Sequence, residues 1–282
     1  LAGFIGIWYK GSLKMAVRPR DKKVIVIMPA YNAEKTLVKC VADIPREWVD
    51  EIILTDDASQ DRTVEIARQL GLHVLVHDKN RGYGANQKTC YTEALRRGAD
   101  IVVMVHPDHQ YDPTVIPQLI KPLLAEECDA VFGSRMLGGH PLEGGMPKWK
   151  YLANIFLTAL ENAVFYMYLT EYHSGLRAYS RRYLERINFH LNSDDFVFDS
   201  EIIAQGVIQG MRIREIPIQT RYFEEASQIG FWRSVVYGLS ILKTLVKFKL
   251  HVKGIKRFKM FEPKEVSETS REEAVSGVGE PK

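Results

Sequence analysis

Residues 24–44, VIVIMPAYNAEKTLVKCVADI, decide the fold. The first five are apolar without interruption, which is how a strand reads when both of its faces are covered. Pro29, which has no amide hydrogen for a ladder, is expected to end that strand. From Glu34 the apolar spacing becomes helical, and EIILTDD at 51–57 returns to a strand. The alternation continues. TVEIARQL (63–70) reads as a helix with Ser59 or Asp61 to cap it and Gly71 to close it, and LHVLVH (72–77) as a strand. ANQKTCYTEALRR (85–97) is a helix ending at Gly98, DIVVMV (100–105) a strand, VIPQLIKPLLA (115–125) a helix and DAVFGS (129–134) a fifth strand. Strands alternating with helices of this length imply an α/β protein with a Rossmann-like, mostly parallel central sheet flanked by helices. Beyond a glycine- and proline-rich loop (138–147) we expect a long helix at about 148–168 and a strand near 176–179. A helix opening on Phe198-Asp199-Ser200-Glu201, a strand pair within 212–221 and a last amphipathic helix from about Phe231 complete the pattern.

The 282 residues are enough for one such domain with additions, and the apolar and charged fractions, 46% and 26%, are those of a globular protein. A net charge of +3 gives no reason to expect nucleic acid as a partner. Cys40, Cys90 and Cys128 form no CxxC pair, which fits a reducing compartment and rules out a disulfide framework. No stretch approaches the ~18 uninterrupted apolar residues of a spanning helix. Residues 1–21 read as an extension, with Met15 resembling a start and no convincing signal-peptide cleavage site. Residues 22–230 read as the main domain, 231–261 as a basic amphipathic helix and 262–282 as a disordered tail.

Ligands of open parallel sheets bind beyond the carboxyl ends of the strands. Five segments should therefore converge on one rim: Pro29-Ala30-Tyr31-Asn32, Asp56-Asp57, Asn80-Arg81-Gly82-Tyr83-Gly84, His106-Pro107-Asp108-His109-Gln110 and Gly133-Ser134-Arg135. Asp56 and Asp57 can accept hydrogen bonds from a base or ribose, or Asp57 can cap the following helix. Gly82 and Gly84 permit close backbone approach, and Arg81 can meet a phosphate, although a tight turn without ligand reads the same. His106, Asp108 and Gln110 alternate, so an extended segment would turn them to one side. A hard divalent cation takes one or two carboxylates and shares the rest of its shell with substrate phosphates, which suits Asp108; a histidine ligand at 106 moves the preference toward Mn2+. His106 and His109 also read simply as polar groups at a strand end.

PAYNAEKTL, TDDASQDRTVEIA, NRGYGAN, HPDHQ and GSR, in this order, resemble family 2 glycosyltransferases of the GT-A fold. The branch resembled is that of dolichyl-phosphate mannose synthase and related polyprenyl-phosphate sugar transferases, over about residues 24–223. The resemblance implies transfer of a sugar from a UDP- or GDP-linked donor, with inversion, to an acceptor such as a lipid phosphate, with Mg2+ or Mn2+ as cofactor. The family's metal motif, Asp-x-Asp-x-Gln, keeps Asp108 and Gln110 here and has His106 at its first position. Its nucleotide pocket falls on Pro29, Ala30, Tyr31, Asn32 and Asp57, with Asp56 adjoining. Arg221 and Ser227 resemble a phosphate-gripping segment in which Glu225 and Gln228 replace the family's glycine and lysine. Arg135 and Arg221 are expected to offset charge on the diphosphate. A phosphate acceptor needs no base; a hydroxyl acceptor does, and Asp199 or Glu201 is the candidate, both also fitting the acidic first turn of a helix.

The final helix carries Phe231, Trp232, Val235, Leu239, Leu242 and Leu245 near one side and basic residues toward its end. It reads equally as an interfacial helix on an anionic membrane and as a core-covering helix with a solvated end. A non-catalytic nucleotide-sugar-binding homologue and a sugar-phosphate nucleotidyltransferase are the alternative functions; PAYNAEK lacks the glycine-rich basic signature of the latter.

Overall fold

A computed structural model of the protein describes residues 21–138, 141–220 and 230–264. The expected elements are present in order: β1 (Val24–Ala30), α1 (Leu37–Ala42), β2 (Glu51–Asp56), α2 (Thr63–Gln69), β3 (His73–Val76), α3 (Tyr83–Arg96), β4 (Ile101–Met104), α4 (Ile116–Leu124) and β5 (Ala130–Ser134). They continue with α5 (Lys148–Phe165), β6 (Arg177–Ser180), α7 (Phe198–Ile208), β7 (Ile213–Pro217) and α8 (Phe231–Val252), and a short helix that was not expected, α6 (Arg181–Arg186), follows β6. The seven strands form one sheet in the order β3-β2-β1-β4-β6-β5-β7. Every pairing is parallel except those of β6, which runs backward between β4 and β5. Successive β1 side chains enter opposite layers. Ile25 and Ile27 pack with α3, α7 and α8, whereas Val24, Val26 and Met28 pack with α1 and α4.

The structure corrects several boundaries. Pro29 does not end β1; Ala30 follows it in the strand and accepts a hydrogen bond from Asp57 N at 2.9 Å. Proline lacks a donor but keeps its carbonyl, so the ladder continues. The long helix stops at Phe165, where Tyr166 turns left-handed with φ 56°. In place of a strand pair within 212–221 there is a single strand, β7, paired with β5, and an isolated bridge from Thr220 to Tyr111. Residues 106–110 are not extended. Asp108 accepts from Gln110 N at 3.1 Å, His109 takes φ 56°, and its ring reaches Asp43 at 2.7 Å. Tertiary bonding on both sides of this segment thus overrides the alternation. Arg221, Ser227, the N-terminal segment through residue 20 and the tail from 265 lie outside the described residues.

Candidate active site

The carboxyl ends of β1, β2 and β4, the loop before α3 and the loop entering β6 surround one open cleft of about 1230 Å³, roofed by α5 and α8. That volume exceeds the usual 300–1,000 Å³ of a single small-molecule site, so two substrates fit side by side. Pro29, Ala30, Tyr31 and Asn32 line it, as do Asp57, Gly82, His106, Asp108, Gln110, Arg135 and Asp199.

Asp57 shapes the rim. One carboxylate oxygen accepts from Arg81 N at 2.9 Å and lies 2.7 Å from His77 Nδ1, and the other accepts from Gly82 N at 3.0 Å. It therefore braces the loop before α3 and does not cap α2; Asp61 accepts from Thr63 N at the start of that helix. Gly82, at φ 98°, passes so close to Asp194 that a Cβ there would sit 2.6 Å from its carbonyl oxygen. Gly84 serves the same packing against Ser193 and Asp194 and does not line the cleft. Arg81 is exposed and paired with Asp78 at 2.6 Å, away from the cleft. Asp56 is buried behind the rim, accepting from Ser59 N at 2.9 Å.

A chain of side chains crosses the floor. Tyr83 donates to Asp199 Oδ2 at 3.0 Å and its hydroxyl lies 3.2 Å from His106 Nε2, with the two rings stacked. Gln87 donates to Asp199 Oδ1 at 3.0 Å, and the buried Arg177 guanidinium lies 3.6 Å from the same oxygen. Enclosure lowers the His106 pKa, opposed by Asp108 and Asp199, so the ring is neutral at physiological pH. Enclosure raises that of Asp108, opposed by His106 and the Gln110 amide. Glu201 is buried and outside the cleft: it accepts from Ser193 N at 2.6 Å, and burial raises its pKa. Of the two acidic residues that open α7, the structure brings only Asp199 to the cleft.

Arg135 is held by a residue that sequence reasoning missed. Glu171, wholly buried, accepts from Arg135 N at 2.7 Å and Nε at 2.8 Å, from its Nη2, and from Asn154 Nδ2 at 2.7 Å. Tyr83 reaches the cleft with the rim segment in which it was expected, and so does Gly175 of His173-Ser174-Gly175-Leu176-Arg177, which resembles a family segment near donor and acceptor; the α5 and α8 side chains of the cleft were missed. At 175 glycine is required beside a packed ring: a Cβ there would lie 2.5 Å from His106 Cδ2. Gly175→Ala is expected to cost about 1–3 kcal/mol of stability. By displacing His106 it should also lower kcat about 100-fold; urea melts and initial rates check both.

Among the described residues, no group of three or more His, Cys, Asp or Glu side chains is arranged to hold a metal by itself. The donors present fit a different arrangement. Asp108 is a partly enclosed carboxylate with no lysine or arginine partner among the described residues, and Gln110 stands beside it. One carboxylate with an open approach suits Mg2+ or Mn2+ bound jointly with substrate phosphates.

A strand–helix sheet with its cleft at the carboxyl rim defines a Rossmann-like nucleotide-binding class of enzyme. Comparison with known proteins narrows this: the model of glycosyl transferase family 2 matches residues 25–187, more than half of the chain. The chain belongs to that family and is a glycosyltransferase. It is 32% identical over 228 residues to an uncharacterized protein of Methanocaldococcus jannaschii, covering 81% of this chain and 93% of that one. To the UDP-N-acetylglucosamine–dolichyl-phosphate N-acetylglucosaminyltransferase of Methanococcus voltae it is 29% identical over 247 residues, covering 82% and 97%. Glucosyl-3-phosphoglycerate synthase of Mycobacterium tuberculosis, crystallised with Mg2+ and UDP, shares the GT-A fold at a TM-score of 0.63 and 20% identity, over 81% of this chain and 79% of that one.

Proposed function

We propose that the protein transfers a sugar, with inversion, from a nucleoside-diphosphate sugar to the phosphate of a polyprenyl phosphate at a membrane surface. The observation that carries this reading is the state of Asp199. It is the acidic residue of α7 at the cleft, and both its oxygens already accept hydrogen bonds from Tyr83 and Gln87 beside the Arg177 guanidinium. Those bonds engage both oxygens before any acceptor arrives, which is not how a general base facing an acceptor hydroxyl is set. An acceptor that is already anionic needs none. The dolichyl-phosphate acceptor in the name of the Methanococcus voltae relative supports the same reading, and its UDP-linked donor makes UDP-sugars the first to test. Among the described residues no helix is long and apolar enough to cross a membrane.

Asp108 and Gln110, with His106 adjoining, would hold Mg2+ or Mn2+. The cation, when bound, neutralises charge on the departing diphosphate. The Tyr31–Asn32 segment and the loop braced by Asp57 shape the nucleotide side of the cleft. Arg135, kept in place by Glu171, adds a charge-assisted donor for the leaving group.

The test is transfer of labelled sugar from UDP-sugars and GDP-mannose to polyprenyl phosphate with Mn2+ or Mg2+, read in the organic phase. Chelation by EDTA should cut the rate to background, and added Mn2+ should restore it. Equal turnover in EDTA would remove the cation from the mechanism. Label found only in water-soluble products would remove the lipid acceptor.

A further inference from the structure

We propose that the cleft-facing sides of α5 and α8 form the seat of the acceptor: Lys150 and Arg233 bind its phosphate, and the exposed apolar stripes of the two helices carry its hydrocarbon chain. This deepens the reading above and rests on it for the identity of the acceptor as a polyprenyl phosphate.

Charge supplies the first observation. Lys150 on α5 and Arg233 on α8 both line the cleft. Neither has a carboxylate partner among the described residues; the Lys150 ammonium lies over the Trp149 ring, 5.5 Å from its centroid. Arg135 is different, since Glu171 already answers its charge. Enclosure, and then the nearby Arg135, push the Lys150 pKa down. A phosphate monoester is the anion that two such side chains take up, by charge-assisted hydrogen bonds.

The apolar surface supplies the second. On α5, Trp149, Leu152 and Phe156 are exposed at one helical spacing, Phe156 by 61%. On α8, Trp232, Val236 and Leu239 repeat the pattern, with Leu239 exposed by 62%. The two helices meet where Leu157 packs beside Gly238, so the stripes flank one seam. Trp149, Trp232 and Val236 belong both to the stripes and to the cleft wall. An apolar surface of this extent on a soluble protein marks an interaction site. Here it leads directly to two cations without a carboxylate partner among the described residues, which is the order of groups in an amphiphile with a phosphate head. Lys243 and Lys249 on the farther part of α8, and Lys253 just beyond its end, add positive charge to complement an anionic lipid surface around it.

The experiment uses the full chain and two acceptors, a long polyprenyl phosphate and a short citronellyl phosphate. Lys150→Ala and Arg233→Ala should each raise KM for both acceptors about tenfold or more, while KM for the nucleotide-sugar moves less than twofold. Lys150→Arg should recover most of the loss. Phe156→Ser and Leu239→Ser should raise KM for the long acceptor only. A Lys150→Ala/Arg233→Ala variant with native KM for both acceptors overturns the proposal. A second measurement needs no turnover: tryptophan fluorescence titrated with phosphatidylcholine vesicles containing or lacking polyprenyl phosphate. The native protein should prefer the former, and the double variant should lose that preference. A native protein that binds both vesicles alike, or that hides the stripes in a dimer unmoved by either, sinks the seat. Native protein that prefers the doped vesicles but makes no organic-phase product sinks only the transfer reading.

Discussion

Asp108→Ala is expected to lower sugar transfer about a thousandfold while leaving the protein folded and at least as resistant to urea as the native chain. Asp108 is the one residue of the 106–110 segment that offers a carboxylate to the cleft, and it has no lysine or arginine partner among the described residues. Its ionised form is held at a solvation cost that the native fold does not recover internally. Removing it relieves that cost and removes the principal anchor for the cation, so activity and stability should move in opposite directions. Rates with saturating Mn2+, together with urea melts of both proteins, check the pair of outcomes. A variant with native rates would show that the diphosphate is neutralised elsewhere. Asp108→Asn should resemble the alanine variant in rate, because a neutral amide does not replace the charge on which binding depends.

Glu171→Ala should have the largest effect on stability, a loss of about 3–5 kcal/mol. The change leaves the Arg135 guanidinium and the Asn154 amide without the acceptor on which they converge. For a domain of this size that corresponds to a fall in Tm of roughly 6–20 °C. Transfer should fall as well, since Arg135 then loses its fixed position in the cleft. The pH dependence has a definite sign. Burial works to raise the Glu171 pKa, but Arg135, by charge and hydrogen bonds, outweighs it, and the folded carboxyl lies below its ordinary 4.5. The contribution is therefore complete above about pH 4.5 and is lost as pH falls through the lower folded value. The native-minus-variant difference in urea stability should be flat from pH 8 to 5 and shrink in more acid solution.

How much of this was legible in the sequence follows from the range of each interaction. The strands and helices of the first half announce themselves by contiguous apolar runs and helical spacing, because each is buried on the faces its own residues present. The segments that reach the rim were legible by the same logic, and Tyr31, Asn32, Asp57, Asp108 and Arg135 all arrive at the cleft. What failed was local geometry set from afar. Alternation suggested that 106–110 was extended, yet the His109 contact with Asp43, 66 positions away, helps to set a turn. Arg81 looked like a phosphate ligand but pairs three residues back with Asp78. Glu171 carries no periodic or motif signal; its partner lies 36 positions earlier, and only the sheet brings them together. The contributions of Lys150 and Arg233 were hidden for the same reason, since no sequence spacing tells which helices roof a cleft.

The reversed course of β6 has an evolutionary corollary. Its first residue, Arg177, lies beside Met104, the last of β4, so β6 delivers its entrance to the rim at which the parallel strands deliver their exits. The segments entering it and the helix α5 before it can accordingly vary while the strands β1, β2 and β4 keep their own exits at the rim. A scaffold wired in this way can diversify the recipient of the sugar without relearning how to handle the currency in which the sugar arrives.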